Sequence, residues 1–309
     1  MPALKFPDNK KFAFTIVDDT DQATVENVSP VYEFLIAHGL RTTKTVWPLS
    51  PTEPVQIGGA TLADPAYRDF VLRLRDRGFE MAFHGATSHS STRRRTAEGL
   101  ERFREIIGYY PRVHINHFLN RENLYWGGAR LSTAMCRLIY RLATITRSRR
   151  FEGHNPRSPY FWGDLCRQHI QYVRNFTFRE VNLLNVNPTL PYRDPGRPYV
   201  NYWFSSTEAA EVKSFCAAMG EAHQDRLESE GGVCIIYAHL AAGFLENGKV
   251  APEFGRLIKR LAARNGWFVP LGELLDYLRT RGAGGDIPPR ERATMERRWV
   301  REKIRYGSS

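Results

Sequence analysis

The sequence predicts an α/β fold in which a parallel sheet, either closed as a barrel or doubly wound, is covered by helices. Apolar, β-branched stretches alternate along the chain with segments of helical periodicity, as in repeated βα units. The 309 residues, 42% of them hydrophobic, suffice for one large domain of this kind. No stretch approaches about 18 consecutive apolar residues, so we expect no membrane-spanning helix.

The first two βα units follow one design. The run "FAFTIVDDT" at residues 12–20 reads as a buried strand that ends on paired aspartates, and "LRTTKTVW" reads as the second strand. Between them, Ser29 is the expected N-cap of a helix with Pro30 in its first turn and Gly39 after its end. The second helix has Asp64 as its expected N-cap, followed by Pro65.

The next units are read in the same way as far as residue 120. "FEMAF" is a third strand that ends at His84, a helix covers about 92–107, and "RVHIN" is a fourth strand. Residues from about 120 to 205 are rich in Pro, Asn, Tyr and Trp, and we expect a long irregular insertion there. Such insertions often serve as binding loops.

Regular patterns return after this insertion. The helix "TEAAEVKSFCAAMGEAHQDRL" precedes the strand "VCIIYAHL", the helix "PEFGRLIKRLAARNG" and a closing strand and helix in "WFVPLGELLDYL". We therefore expect one domain over 1–282, followed by a basic helical C-terminal tail over 283–309.

Composition narrows the class of protein and its compartment. The formal charge of +11 favours anionic partners, such as phosphate-bearing substrates or acidic lipid surfaces. Nucleic acid is not an expected partner, because the basic clusters fall on separate predicted helices and no zinc-finger spacing occurs. The four scattered cysteines and the absence of an export signal predict a cytoplasmic protein.

Polar side chains collect where the predicted strands end. In a parallel barrel these carboxyl ends meet at one rim, where catalytic groups gather. Two imidazoles and a carboxylate make a metal site with a position left for water, and a second carboxylate can then act as a general base. The residues at these ends are Asp18, Asp19, His84, His89, His114, Asn116, His117 and His239.

Four short motifs resemble those of the polysaccharide deacetylases, carbohydrate esterase family 4, also called the NodB-homology family. They are "FTIVDDT", "FHGATSH", "IIYAHL" and "GWFVPLGELLDYL", spread over roughly residues 10–280. The resemblance implies a divergent member with a distorted (β/α)7-type barrel of mostly parallel strands. It also implies a divalent metal ion, most often zinc, held by one aspartate and two histidines.

The resemblance implies a role for each matching residue. Asp18 matches the general base, and Asp19 matches the metal-binding aspartate. His84 and His89 match the paired histidine ligands, although they are five residues apart and the family spaces them four apart. His239 matches the general acid that protonates the departing amine.

The fourth strand departs from the family pattern. "RVHINH" replaces the family's Arg-Pro-Pro motif, which orients the base. His114, Asn116 and His117 are candidates for this orienting or substrate-binding role. Trp162 and Tyr192, in the insertion, are candidates for stacking on a sugar face.

The function that the resemblance implies is metal-dependent hydrolysis of the N-acetyl group of an amino sugar. In a cytoplasmic chain we expect an anionic precursor of a surface polysaccharide, either nucleotide-linked or lipid-linked. Alternatives are a deformylase or O-deacetylase on the same scaffold, or a degenerate carbohydrate-binding relative. The segment "CRLIYRLATITRSRR" and the basic tail are candidates for peripheral contact with the inner membrane surface; the alternatives are an oligomer interface or a solvated helix.

Overall fold

A computed structural model describes residues 4–143 and 150–307. Seven parallel strands follow one another around a barrel, which closes where β1 pairs with β7. This confirms the predicted barrel of parallel strands. The barrel strands are β1 (Phe12–Asp18), β2 (Thr43–Val46), β3 (Glu80–Phe83), β4 (Val113–His114), β5 (Tyr172–Phe178), β6 (Tyr202–Glu208) and β7 (Val233–Ala238).

Helices cover the outside of the barrel and its carboxyl end. A small antiparallel hairpin, β8 (Leu245–Glu246) and β9 (Lys249–Val250), follows β7, and β10 (Gly266–Phe268) joins the barrel sheet. The helices are α1 (Val25–Ala37), α2 (Pro65–Asp76), α3 (Arg93–Ile107), α4 (Ala134–Ala143), α5 (Gly163–His169), α6 (Val212–Ala218), α7 (Glu221–Ser229), α8 (Pro252–Ala262), α9 (Leu271–Thr280) and α10 (Pro289–Tyr306).

Strand β1 has three partners, which distorts the barrel. Every residue of β1 is buried, and β7 pairs along one of its edges. Strand β10 pairs with the first part of β1, starting at Phe12, whereas β2 pairs only with Val17 and Asp18. The β1–β2 register places Asp18 directly opposite Lys44.

Helix α1 begins earlier than predicted. Its N-cap is Thr24, whose hydroxyl accepts a hydrogen bond from the Asn27 amide at 3.3 Å. The Asn27 side chain in turn accepts one from the Thr24 amide at 2.8 Å. This reciprocal capping box satisfies two amides that would otherwise lack partners. The cap predicted at Ser29 is therefore wrong, and Pro30 lies inside the helix.

The segment 120–205 is more regular than expected. It contains α4, α5 and strand β5, and β6 begins within it. Helix α10, in the predicted basic tail, packs its buried Trp299 against Phe176 of β5 and Tyr140 of α4, with ring centroids 5.5 and 5.6 Å apart. The tail helix is thereby joined to the barrel.

In the described parts of the chain, no helix has the length and apolar character needed to cross a membrane. Residues 144–149 of the basic segment expected to contact the inner membrane surface lie outside the described residues.

Candidate metal centre and active site

Three aspartates lie where β1 ends and its loop begins. The backbone amide of Asp19 donates to the Ala238 carbonyl at 2.8 Å and so extends the β1–β7 pairing. The Thr20 amide donates to the Thr45 hydroxyl at 2.9 Å, which holds the loop against β2. As a result, three different environments surround the side chains of Asp18, Asp19 and Asp21.

Asp18, the predicted general base, lies in a buried ion pair. Its Oδ2 accepts hydrogen bonds from Lys44 Nζ at 2.8 Å and the Tyr32 hydroxyl at 2.7 Å, and its Oδ1 accepts from the Leu240 amide at 2.8 Å. Burial alone would lower the pKa of Lys44, but the attraction of Asp18 raises it overall. Asp18 is fully buried and does not line the cavity described below, so nothing in this geometry brings it to a substrate.

Asp19, the predicted metal ligand, faces that cavity and forms a buried ion pair with an arginine. Arg174 of β5 donates from Nη2 to Asp19 Oδ2 at 2.6 Å and from Nη1 to Oδ1 at 3.2 Å. The guanidinium carbon of Arg174 also lies 4.2 Å from the centroid of the Tyr237 ring. Both members of the pair are buried, and a two-pronged contact of this kind fixes the orientation of a carboxylate.

Asp21 lies at the centre of three imidazoles. Its Oδ1 is 2.9 Å from His117 Nε2, and its Oδ2 is 3.3 Å from His84 Nε2 and 3.1 Å from His239 Nε2. Burial alone would raise the pKa of Asp21, but the contacts with His117, His239 and His84 hold it far below its usual value. Burial alone would lower the pKa of His239, and Asp21 raises it overall.

Asp21, His84 and His117 offer ligand atoms that all lie within 4.8 Å of one another. Neither ring nitrogen of the buried His84 has a hydrogen bond of good geometry, although its Nε2 lies close to Asp21, and Nδ1 of His117 is also unpaired. Unsatisfied buried nitrogens are costly, and a cation bound to His84 would satisfy one of them. Two imidazoles and one carboxylate are also the donor set of catalytic zinc sites, so these residues fit a divalent metal ion.

A second candidate ligand group among the described residues is Asp19, Asp21 and His239, and His89 belongs to neither group. Its Nε2 accepts hydrogen bonds from the Thr52 amide at 3.0 Å and the Thr52 hydroxyl at 3.2 Å, and Nδ1 lies 2.9 Å from the Ser90 carbonyl. His117, which follows β4, lies beside His84 instead, with ring centroids 5.1 Å apart.

His114 and Asn116 form a buried polar pair on the other side of β4. His114 Nε2 lies 3.1 Å from Asn116 Oδ1, and Asn116 pairs with the backbone of Leu124 through both ends of its amide. Burial is the main cause that lowers the pKa of His114, to about 3. Asn116 lines the cavity, whereas His114 lies behind it.

Trp162 and Tyr192 are fully buried and do not line the cavity. The Trp162 indole donates to the Glu122 carbonyl at 2.7 Å and packs edge-on against His114, with ring centroids 4.9 Å apart. The Tyr192 hydroxyl accepts from the Asn175 side chain at 2.9 Å. The structure therefore shows both rings packing the interior, without a face open to a sugar.

A cavity of about 420 Å³ joins these groups at the carboxyl end of the barrel. Asp19, Asp21, His84, Arg174 and His239 line its floor. The sequence analysis included neither Asp21 nor Arg174 among the site residues. Asp21 could have been found from the third aspartate in "DDTD", and Arg174 from the lone arginine in the apolar run "YVRNFTF".

No family model and no curated protein matches the chain in sequence. Solved structures match it in fold. A Mycobacterium smegmatis protein assigned as a polysaccharide deacetylase is 11% identical with a TM-score of 0.54, covering 93% of this chain and 97% of its own. PuuE allantoinase is 11% identical with a TM-score of 0.54, covering 91% of this chain and 95% of its own.

A third structure has the same assignment as the first and comes from Pseudomonas aeruginosa PAO1. It is 11% identical with a TM-score of 0.52, covering 91% of this chain and 95% of its own. The resemblance noted in the sequence motifs is thus confirmed at the level of the fold: the chain has the NodB-like barrel found in polysaccharide deacetylases.

Proposed function

We propose that the chain is a metal-dependent hydrolase that removes the N-acetyl group of an amino sugar. The proposed substrate is an anionic, cytoplasmic precursor of a surface polysaccharide, linked to a nucleotide or a lipid. The observation that supports this most is a carboxylate held by Arg174 close to the Asp21–His84–His117 group, with Asp19, Asp21 and His84 lining one cavity of a deacetylase-type barrel. The general base and the metal ligands of this proposal would thus lie close together.

In this proposal Asp21, His84 and His117 would hold the metal ion. A divalent ion in such a site polarises an acyl oxygen and lowers the pKa of a bound water. Asp19 replaces Asp18 as the general base, because Asp19 faces the cavity whereas Asp18 is held by Lys44.

The side chains around the ligands have separate tasks. Arg174 holds the Asp19 carboxylate in a fixed orientation, so that Asp19 can take a proton from the attacking water. His239 lines the same cavity, and its Nε2 lies 3.1 Å from the Tyr237 hydroxyl. From there His239 can give a proton to the departing amine.

Metal analysis combined with an acyl-release screen tests this function. Protein purified without chelator should contain close to one equivalent of a divalent metal, and it should release acetate from nucleotide-linked N-acetylated amino sugars. Metal below about half an equivalent would favour the degenerate carbohydrate-binding alternative. Release of formate, or of acetate from O-acetylated sugars only, would favour the alternative acyl groups.

A further inference from the structure

Arg130 is a buried cation in the wall of the active-site cavity. It ends the short 3-10 turn Gly127–Arg130 and is 2% exposed. Its guanidinium carbon lies 3.3 Å from the centroid of the Trp126 ring and 5.0 Å from that of Trp299. Nε and one terminal nitrogen of Arg130 are buried without a hydrogen-bond partner.

The other buried cations of the described chain all have a carboxylate partner. Lys44 pairs with Asp18, Arg174 with Asp19, and Arg197 and Arg292 both with Asp194. Arg130 forms no ion pair within the described residues, although burying an unpaired charge is costly. Its two aromatic neighbours offset only part of that cost.

Lys303 of α10 lines the same cavity as Arg130. Burial lowers the pKa of Lys303, and the nearby charge of Arg130 lowers it further. Two like charges from different elements therefore face one space. The acidic residues that line this cavity are already engaged: Asp19 by Arg174, Asp21 by the histidines, and Glu211 by the capping of α6.

We propose that Arg130 and Lys303 form an anion subsite that takes a phosphate group of the substrate. A guanidinium fork matches the geometry of phosphate oxygens, and an ammonium adds a second positive charge. The inference rests on the proposed function, since it places the phosphate of an activated sugar beside the site where the acyl group is cleaved. The phosphate can belong to a soluble sugar phosphate or to a lipid-linked one.

Thermal unfolding of the protein as purified, with and without inorganic phosphate, tests the subsite. Phosphate should raise the Tm of the wild type, and Arg130→Gln should lose most of that increase. Without phosphate, Arg130→Gln should be at least as stable as the wild type, because it removes an unpaired buried charge. Arg301→Gln, an exposed site on α10, removes the same charge and should keep the phosphate effect.

Calorimetric titration completes the test. N-acetylglucosamine 1-phosphate should bind Arg130→Gln about tenfold or more weakly than wild type, while unphosphorylated N-acetylglucosamine is unaffected. Lys303→Gln should show a smaller loss and serves as the second variant. Equal phosphate effects in all variants, or a lower Tm of Arg130→Gln without phosphate, would overturn the proposal.

The same variants separate the two sources of phosphate. Tighter binding of N-acetylglucosamine 1-phosphate than of vesicles with phosphate headgroups indicates a soluble substrate. Tighter binding of the vesicles indicates a lipid-linked one. Metal content should be unchanged in Arg130→Gln, so a failed subsite leaves the proposed hydrolase standing.

A second, independent observation concerns the outer face of α4. Four apolar side chains at helical spacing form what we call the outer stripe of α4. They are Met135, Leu138, Ile139 and Leu142, which are 70%, 58%, 39% and 73% exposed. The opposite face of α4 already packs inward through Cys136 and Tyr140. An amphipathic surface helix normally leaves polar residues outside, so this stripe is unusual.

We infer that the outer stripe docks on an anionic lipid surface. Arg137 and Arg141 are exposed on α4 beside the stripe, and the whole chain carries a formal charge of +11. Apolar side chains flanked by arginines suit the boundary between headgroups and acyl chains. Tyr140, on the inner face of α4, lines the active-site cavity, so a docked helix would bring the cavity close to the lipid.

Cosedimentation with vesicles tests this docking. Wild type should sediment with phosphatidylglycerol-containing vesicles, less so at high salt, and poorly with phosphatidylcholine alone. The double variant Leu138→Glu, Leu142→Glu should lose this binding and keep its circular dichroism. The matched control Tyr109→Glu changes an exposed apolar residue just before β4, at the amino end of the barrel, and should bind as wild type does.

Two results would overturn the lipid assignment. One is vesicle binding by the double variant equal to that of wild type. The other is a wild-type dimer without vesicle binding that the double variant abolishes, since the stripe would then be covered by a second copy of the chain.

Discussion

At the scale of single residues, the site depends on which way three neighbouring aspartates point. Asp18 turns into the barrel toward Lys44, Asp19 toward Arg174, and Asp21 toward the histidines. One carboxylate thus stabilises the fold, and the next two remain available for chemistry. Exchanging any of them for asparagine should therefore have a different consequence.

Asp19→Asn should keep the metal and lose roughly 10²- to 10⁴-fold in kcat, because a general base is removed. Asp18→Asn should instead lower the free energy of unfolding by about 3–5 kcal/mol, because Lys44 is left buried and without its partner. Acetate release, metal content and urea unfolding of both variants distinguish these outcomes. A stable, inactive Asp18→Asn beside an active Asp19→Asn would restore the base to Asp18.

His117→Ala should weaken metal affinity by more than the roughly 10- to 100-fold that the loss of an outer hydrogen-bonding partner costs, since a ligand is lost. His89→Ala should bind metal as the wild type does, because the His89 ring contacts Thr52 and Ser90. Competition with a chromogenic chelator measures both affinities. Weaker binding by His89→Ala alone would return the ligand role to His89.

At the scale of elements, two short strands position the site histidines, and one long helix supports the cavity wall. Strands β3 and β4 end at Phe83 and His114, so that His84 follows β3 into the cavity and His117 follows β4 to a position beside His84. Gly85 allows the turn that follows His84, since its φ of +97° is a left-handed conformation that other residues adopt only with strain. On the other side, α10 holds the start of α4 through Glu296.

Glu296→Ala should destabilise the protein by about 2–4 kcal/mol, because Ser132, Thr133 and the buried Arg292 would lose their acceptor. The Glu296 carboxylate accepts from the Ser132 amide at 2.7 Å, the Ser132 hydroxyl at 2.6 Å and the Thr133 amide at 2.9 Å. Urea unfolding gives the free energy. Glu246→Ala, on the exposed hairpin, is the matched control and should change it by less than about 0.5 kcal/mol.

At the scale of the whole molecule, stability should depend on pH through histidines held neutral. Burial lowers the pKa of His154 to about 4, from the usual histidine value of 6.5. His154 therefore binds a proton below about pH 6.5 in the unfolded chain, but only below about pH 4 in the folded chain. This stabilisation is complete above pH 6.5 and disappears as the pH falls to about 4.

His154→Asn tests this dependence. Its side-chain oxygen can still accept the Tyr125 amide, which donates to His154 Nδ1 at 3.1 Å, but it does not titrate. The free energy of unfolding of the variant, measured relative to that of wild type, should rise as the pH falls from 6.5 to 4. The rise should be up to 1.4 kcal/mol for each unit of difference between the folded and unfolded pKa. Urea unfolding at four pH values measures the difference, and parallel curves would contradict the prediction.

Local patterns predicted the barrel, the strand ends and the presence of a carboxylate–imidazole site. Residues that depend on distant pairing were harder to assign. The direction of Asp18 follows from its register with Lys44, and the place of His117 beside His84 follows from the pairing of β3 with β4. Arg174 escaped notice because β5 lies between proline-rich stretches that mask its strand pattern.

The three partners of β1 also bear on how the chain acquires its shape during synthesis. Strand β1 (Phe12–Asp18) is synthesised well before its partners. One of its edges is fully covered only when residues 233–238 have been made, and the other only when residues 266–268 have been made. Until the last third of the chain leaves the ribosome, an apolar strand stays exposed, and such strands invite aggregation. A nascent chain that stalls before residue 233 is therefore expected to need a chaperone.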